Sequence, residues 1–190
     1  MSTKSPLSSE LKDLLDSESI RLQRQFSVTN DGLDNLRQRT ILVDSIISRF
    51  WERLICAEKN GPPGLILIAL GDFGRGLLFP YSEVDLLFLH GPETLPEKLT
   101  RAIHQFSREM MELPIKLSAT TRLISDFTEF GADNVELILS VLDCRYLAGD
   151  LEQFTNFQER LIPEIVGRES EYLVERLAEE TRGRYRKFSN

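Results

Sequence analysis

LILIALGDFGRGLLFPYSEVDLLFL, residues 65–89, is the stretch whose reading decides the fold. Leu65–Leu70 is six apolar residues in a row, bounded by turn signals, which reads as a strand covered on both faces. Gly71, Gly74 and Gly76 follow within six positions, and Val84–Leu89 is a second apolar run that carries Asp85. Two buried strands joined by a Gly-rich turn therefore form the centre, with Glu83 and Asp85 where the second strand begins. Alternate residues of a strand share a face, so Glu83 and Asp85 point one way and Val84 the other. Two carboxylates on one face raise each other's pKa unless a cation stands between them. A hard divalent ion such as Mg²⁺ suits that need, and glycines let backbone N–H groups approach a phosphate chain. Metal plus phosphate cradle is the equipment of nucleotidyl transfer.

Outward from that centre, the chain reads as helices around a small sheet. Leu11, Leu14 and Leu15 mark a first helix, ending near Phe26 before the Asn30-Asp31-Gly32 turn signal. Leu33, Leu36, Thr40, Val43, Ile47, Phe50 and Leu54, spaced by threes and fours, mark a second. It packs on its own sheet in preference to a coiled-coil partner, with Trp51 at the edge of its stripe. Gly61-Pro62-Pro63-Gly64 stops it. Pro96 opens a helix striped by Leu99, Ile103, Phe106 and Met110. Leu113–Ala119 alternates as a half-exposed strand with Lys116 and Ser118 on its polar side. Val135, Ile138, Leu139, Leu142 and Tyr146 read as one helix ended at Ala148-Gly149. Residues 151–161 form a short helix, Pro163–Gly167 interrupts, and a last helix follows from Glu169.

The composition sets bounds. The 190 residues carry 23 Lys and Arg against 30 Asp and Glu, a net charge of −7, which argues against non-specific nucleic-acid binding driven by counterion release. Cys56, Cys144, His90 and His104 lack zinc-ligand spacing, and the two cysteines read as buried thiols. No secretory h-region opens the chain and no run approaches a membrane span, so a cytoplasmic protein without membrane contact is expected.

The segment GDFGRGLLFPYSEVD resembles the nucleotidyltransferase motif of bacterial PII uridylyltransferases, matching at Gly71, Phe73, Gly74, Arg75, Gly76, Pro80, Ser82 and Asp85. VLDCRYLAGD, residues 141–150, is similar to a second family segment ending Arg-x-Leu-Ala-Gly-Asp. The resemblance runs over roughly residues 40–190. It implies an α/β fold of the polymerase-beta-like nucleotidyltransferase type, a small mixed sheet flanked by helices. The expected layout is a helical extension over 1–60, a nucleotidyltransferase-like core over 61–130 and a helical part over 131–190, the whole being the N-terminal piece of a longer protein. By resemblance, Glu83 and Asp85 hold Mg²⁺ and serve catalysis, and Gly71, Gly74, Arg75 and Ser82 bind the nucleotide phosphates. Read from the residues, Arg75 is available either to a triphosphate or to a salt bridge with Glu83 or Asp85, and Ser82 either to a phosphate or to a turn. Three positions depart from the family: Asp72 replaces a glycine, Glu83 replaces the first aspartate of the pair, and Lys116 stands where a third acid is expected. Lys116 then either neutralises Glu83 and Asp85 in the metal's place or extends into solvent. The implied activity is Mg-dependent transfer of UMP from UTP to a tyrosine hydroxyl of a PII-type signalling protein. The alternative is a catalytically impaired domain of the same fold with a regulatory or protein-interaction role.

Overall fold

The computed structural model describes residues 5–56, 62–92, 95–128 and 135–188. Its centre is a four-stranded mixed sheet in the order β3-β2-β1-β4. β1 (Leu65–Leu70) and β2 (Val84–His90) pair antiparallel, with Leu70 opposite Asp85. β3 (Leu117–Leu123) lies parallel to β2 after a crossover through α4 (Glu97–Met110), and β4 (Arg145–Gly149) runs antiparallel along the other edge of β1. All six residues of β1 are buried, as an unbroken apolar run requires of a strand covered on both sides.

The alternation of side chains sorts the core into two layers. Leu65, Leu67 and Ala69 of β1 with Val84, Leu86 and Phe88 of β2 face α1 (Pro6–Thr29), α2 (Gly32–Phe50) and α4. Ile66, Ile68 and Leu70 with Leu87 and Leu89 face Phe127 of α5 (Ser125–Thr128), Val141 of α6 (Val135–Leu142), Phe154 of α7 (Leu151–Asn156) and Leu173 of α8 (Ile162–Phe188). Asp85 belongs by parity to this second face. In the first layer Phe106 meets Phe50 and Phe88 edge-on at 6.0 and 5.4 Å, and Trp51 stacks on Phe88 at 6.5 Å. Trp51 is buried in a π-helical turn, Trp51–Ile55, that closes α2. A π turn rotates the following side chains off the 3.6-residue stripe.

Several elements differ from the sequence reading. Helix α1 runs past Phe26 to Thr29 and ends on Asn30, which takes the left-handed conformation at φ 54°. The half-exposed strand starts at Leu117, since Leu113 and Ile115 turn back against the α4 layer. Tyr146, Leu147 and Ala148 form β4 and are not the end of a helix. A helical stripe of apolar residues followed at once by a strand of the same character carries no break that periodicity registers. Pro163 does not interrupt either. It sits inside a helical run that continues without a break from the π-helical turn over Phe157–Leu161 into α8, and that wider turn accompanies the proline. β4, from the third expected segment, pairs with β1, and α1 and α2, from the first, pack in the same core cluster as β1 and β2. The helix stop at Gly61 and the boundaries at residues 61 and 131 lie outside the described residues. Among the described residues, no helix is long and apolar enough to cross a membrane.

Candidate active site

The site is built where β1 turns into α3 (Gly71–Gly74) and the chain returns through residues 75–83 into β2. Gly71 has φ 58°, and a Cβ placed on it would stand 3.2 Å from Asp85 Oδ2. The glycine turn and the carboxylate therefore converge, and a side chain at position 71 would both strain the backbone and press on the acid. Burial raises the Asp85 pKa first, and the negative charges of Glu83 and Asp72 raise it further. The Ser118 hydroxyl opposes them by hydrogen bonding to the carboxylate. Glu83, just ahead of β2, is exposed.

The remaining expected residues are placed differently. Gly74 is buried, and a Cβ there would meet the Asp143 carbonyl oxygen at 2.4 Å and that of Ala69 at 2.9 Å. Protein backbone alone therefore excludes a side chain at this position. Arg75 bridges neither Glu83 nor Asp85. Its Nη1 donates to Asp143 Oδ2 at 2.8 Å and its Nη2 to Asp72 Oδ1, and these two acids, Asp143 first, raise its pKa. Ser82 Oγ donates to Asp72 Oδ2 at 3.1 Å.

Lys116 lies one residue ahead of β3, exposed, with its carbonyl accepting from Val84 N–H at 2.7 Å. Continuing the β2–β3 pairing backward puts it opposite Glu83, whereas the partner of Asp85 is Ser118. Among the described residues, no ion pair joins Lys116 to either carboxylate, and of its two readings its exposure agrees with extension into solvent. Sequence reasoning gave Ser118 only a place on the polar side and missed Asp143 altogether. Asp143 carried no signal beyond membership of the second motif. The Asp72-x-x-Arg75 spacing, neighbours on one helical turn, did carry one.

That second motif acts as a frame around the site. Arg145 donates to both Asp44 oxygens at 2.9 and 3.0 Å, donates to the Phe73 carbonyl at 3.1 Å, and lies 5.2 Å from the centre of the Phe73 ring. Asp44 has its pKa raised by burial, which Arg145 counters. Gly149 has φ 100°, and a Cβ there would reach within 2.2 Å of the Leu65 carbonyl oxygen. Asp150 caps α7 by accepting from Gln153 N–H at 3.0 Å, and its other oxygen accepts from Gly64 N–H at 3.2 Å at the mouth of β1. Cys144 is buried, and burial pushes its thiol up to about 11, which makes it inert. Cys56 is only half-buried.

A groove of about 530 Å³ opens between α1, α2 and Phe79–Tyr81, and none of the residues around Asp85 lines it. Among the described residues, no group of three His, Cys, Asp or Glu is arranged to hold a metal. Glu83 and Asp85 offer carboxylate oxygens of the kind Mg²⁺ takes, and the negative charge of Glu83 reaches Asp85. The raised pKa of Asp85 marks a negative charge that this cation would relieve.

No protein-family model matches the chain. Curated proteins do. The bifunctional uridylyltransferase/uridylyl-removing enzyme of Photobacterium profundum is 28% identical over 151 residues, 80% of this chain and 17% of that protein. The enzyme of the same name from Hydrogenovibrio crunogenus is 32% identical over 123 residues, 65% of this chain and 13% of its own length. That of Methylococcus capsulatus is 27% identical over 169 residues, 89% of this chain and 19% of its own length. Among solved structures, a mutant of the MntA–HpeT toxin–antitoxin pair covers 73% of this chain at 16% identity with a TM-score of 0.43. A toxin–antitoxin structure with AMP-PNP also has a TM-score of 0.43, at 14% identity. The chain spans less than a fifth of the length of the curated relatives named. Over 65% to 89% of its own residues, this chain is a relative of the bifunctional uridylyltransferase/uridylyl-removing enzymes.

Proposed function

We propose that this chain is the nucleotidyltransferase part of a larger protein, moving a nucleotidyl group, UMP from UTP, to a protein hydroxyl. The observation that carries this reading is the closeness of Gly71 to Asp85: a Cβ on the glycine would stand 3.2 Å from the carboxylate, which sets a phosphate-approaching turn beside a half-buried acid. A Mg²⁺ ion held by Asp85 and Glu83 would stabilise charge developing on the phosphate oxygens during in-line displacement. The chain's own residues do the rest. Gly71 leaves room for a phosphate beside the turn, Ser118 orients the Asp85 carboxylate, and Arg145 holds Phe73 and hence the turn in place. A tyrosine on a PII-type protein is the acceptor the sequence relationship suggests, in cytoplasmic nitrogen-type signalling.

Calorimetry with UTP, ATP, GTP and CTP, with and without Mg²⁺, tests the reading. Metal-dependent binding that prefers UTP and is lost in Asp85→Ala is expected. Binding indifferent to Mg²⁺ and to Asp85 would refute it.

A second reading, a catalytically impaired domain that works through protein contacts, is favoured by Ser118. The β3 position paired with Asp85 carries a hydroxyl and not an acid, and the position where the resemblance expects the third acid, opposite Glu83, carries Lys116. If the missing acid limits the site, Ser118→Asp should strengthen Mg²⁺ binding by about tenfold, the effect of one added carboxylate ligand in this cluster. Lys116→Glu, set opposite Glu83 and without an ion pair to the site, should do less.

A further inference from the structure

Two side chains at the site, Arg75 and Ser82, are suited to hold an anion, and both already hold one. The Asp72 carboxylate takes Arg75 Nη2 on one oxygen and Ser82 Oγ on the other, the latter at 3.1 Å. We propose that Asp72 is an internal stand-in for phosphate, filling the polyphosphate subsite of this chain with its own carboxylate. The inference rests on the reading of the site as a nucleotide site.

An exposed ion pair one helical turn apart is by itself ordinary and weak. Three features lift this one above that. The second donor comes from ten residues away, on the segment that leads into β2, so the carboxylate bridges two elements. Both of its oxygens receive a donor, as two oxygens of a bound phosphate would. The guanidinium is also fixed from behind, because Asp143 holds its other arm at 2.8 Å. A donor pair so oriented is preorganised for an anion, and the chain supplies that anion at a position where the resembled motif has glycine.

Competition follows from charge. A phosphate group approaching Ser82 and Arg75 must displace the Asp72 carboxylate and then stand beside it, like charge against like. The charge of Asp72 also reaches Asp85. One carboxylate thus weakens the phosphate subsite while strengthening the negative field at the metal position. The competing role for Asp72, a third metal ligand, finds no support in geometry, since no such cluster of three exists among the described residues.

The test is calorimetry on the full chain with inorganic tripolyphosphate in the absence of metal. Asp72→Ala should bind it at least tenfold more tightly than the unmodified protein. Asp72→Asn, which keeps an acceptor for Ser82 and loses only the charge, should gain less. The double variant Asp72→Ala/Ser82→Ala should lose most of the gain. Equal or weaker binding in both single variants would overturn the proposal, and the isosteric Asn keeps the test valid if the Ala variant folds poorly. A separate arm measures UTP with and without Mg²⁺ in the unmodified protein, in Asp72→Ala and in Asp85→Ala. If no variant shows metal dependence, nucleotidyl transfer is refuted, yet a tripolyphosphate gain would still support the stand-in. If UTP binding needs Mg²⁺ and Asp85 while tripolyphosphate is indifferent to Asp72, the stand-in alone is refuted.

Discussion

Two segments carry the resemblance read from the sequence, residues 71–85 and 141–150, and they do opposite kinds of work. In the second, each polar or glycine position is committed to the protein itself: Asp143 to Arg75, Arg145 to Asp44 and Phe73, Gly149 to the Leu65 backbone, Asp150 to Gln153 and Gly64. In the first, Asp85 is half-buried, its pKa raised and met by one hydroxyl, and Glu83 points into solvent. Motif residues that look alike in a string therefore divide into a frame and a workplace. The frame spends most of its polar groups on bonds within the protein, with Arg145 Nε buried and unpaired as the exception, whereas in the workplace the half-buried Asp85 is met by one hydroxyl.

The sharpest way to break that contrast is a matched pair of glycine substitutions. Gly149→Ala forces a Cβ to within 2.2 Å of a backbone carbonyl at φ 100° and should destabilise by about 3 kcal/mol or more, or prevent folding. Gly71→Ala, at φ 58° with only a side-chain oxygen 3.2 Å away, should cost about 1 kcal/mol in urea melts and chiefly weaken nucleotide binding. If both cost alike, the division into frame and workplace is wrong.

Next in size is Arg145→Met. It leaves the Asp44 carboxylate without its two donors at a site about one third exposed, and should destabilise by about 2 kcal/mol once solvent screening is allowed for. The pH dependence identifies the cause. Burial already raises the Asp44 pKa and Arg145 holds that rise in check, so removing the cation raises it further. A carboxylate whose folded pKa exceeds its unfolded value stabilises the fold below the unfolded pKa, and that stability is lost as pH rises through the folded pKa. The loss from Arg145→Met should therefore be larger at pH 7 than at pH 4 in denaturant titrations. A pH-independent loss would show that lost packing on Phe73 dominates.

The fold was largely legible where physical signals were strong. The run Leu65–Leu70 and the run beginning at Val84 fell into strands at the expected places, because an unbroken apolar stretch of that length has few other uses. Strand β4 was not legible. Its burial is intermediate throughout, and Tyr146 continues the helical stripe of α6 by count. Only pairing with β1, a contact over some eighty residues, makes it a strand. At the site, Glu83 lies ahead of β2, outside the strand whose parity was to place it, but the approach of Gly71 to Asp85 followed from a short turn between paired strands. Partner choice did not: Arg75 was expected to face a phosphate or the two strand acids, and it faces Asp72 and Asp143. Asp72 stands one helical turn from Arg75, a spacing the sequence does show, whereas Asp143 comes from the distant segment 141–150, which no local pattern brings to this turn.

The smallest expected effect is the one that speaks most directly to purpose. Asp85→Asn removes a charge that burial and two neighbouring carboxylates disfavour, and keeps the size and an acceptor for Ser118. The raised pKa means that the unmodified protein is relatively less stable above that pKa than below it. The variant should melt about 2 °C higher than the parent near pH 7, a gain of under about 1 kcal/mol, with the difference vanishing toward pH 3. Added Mg²⁺ should raise the melting temperature of the parent and leave the variant unmoved, since a cation relieves only a charge that is present. A site kept at a cost in stability that one neutral substitution removes is a site retained for a ligand. If Asp85→Asn instead lowers the melting temperature at neutral pH, the carboxylate belongs to the frame, like Asp150, and the metal reading loses its main support.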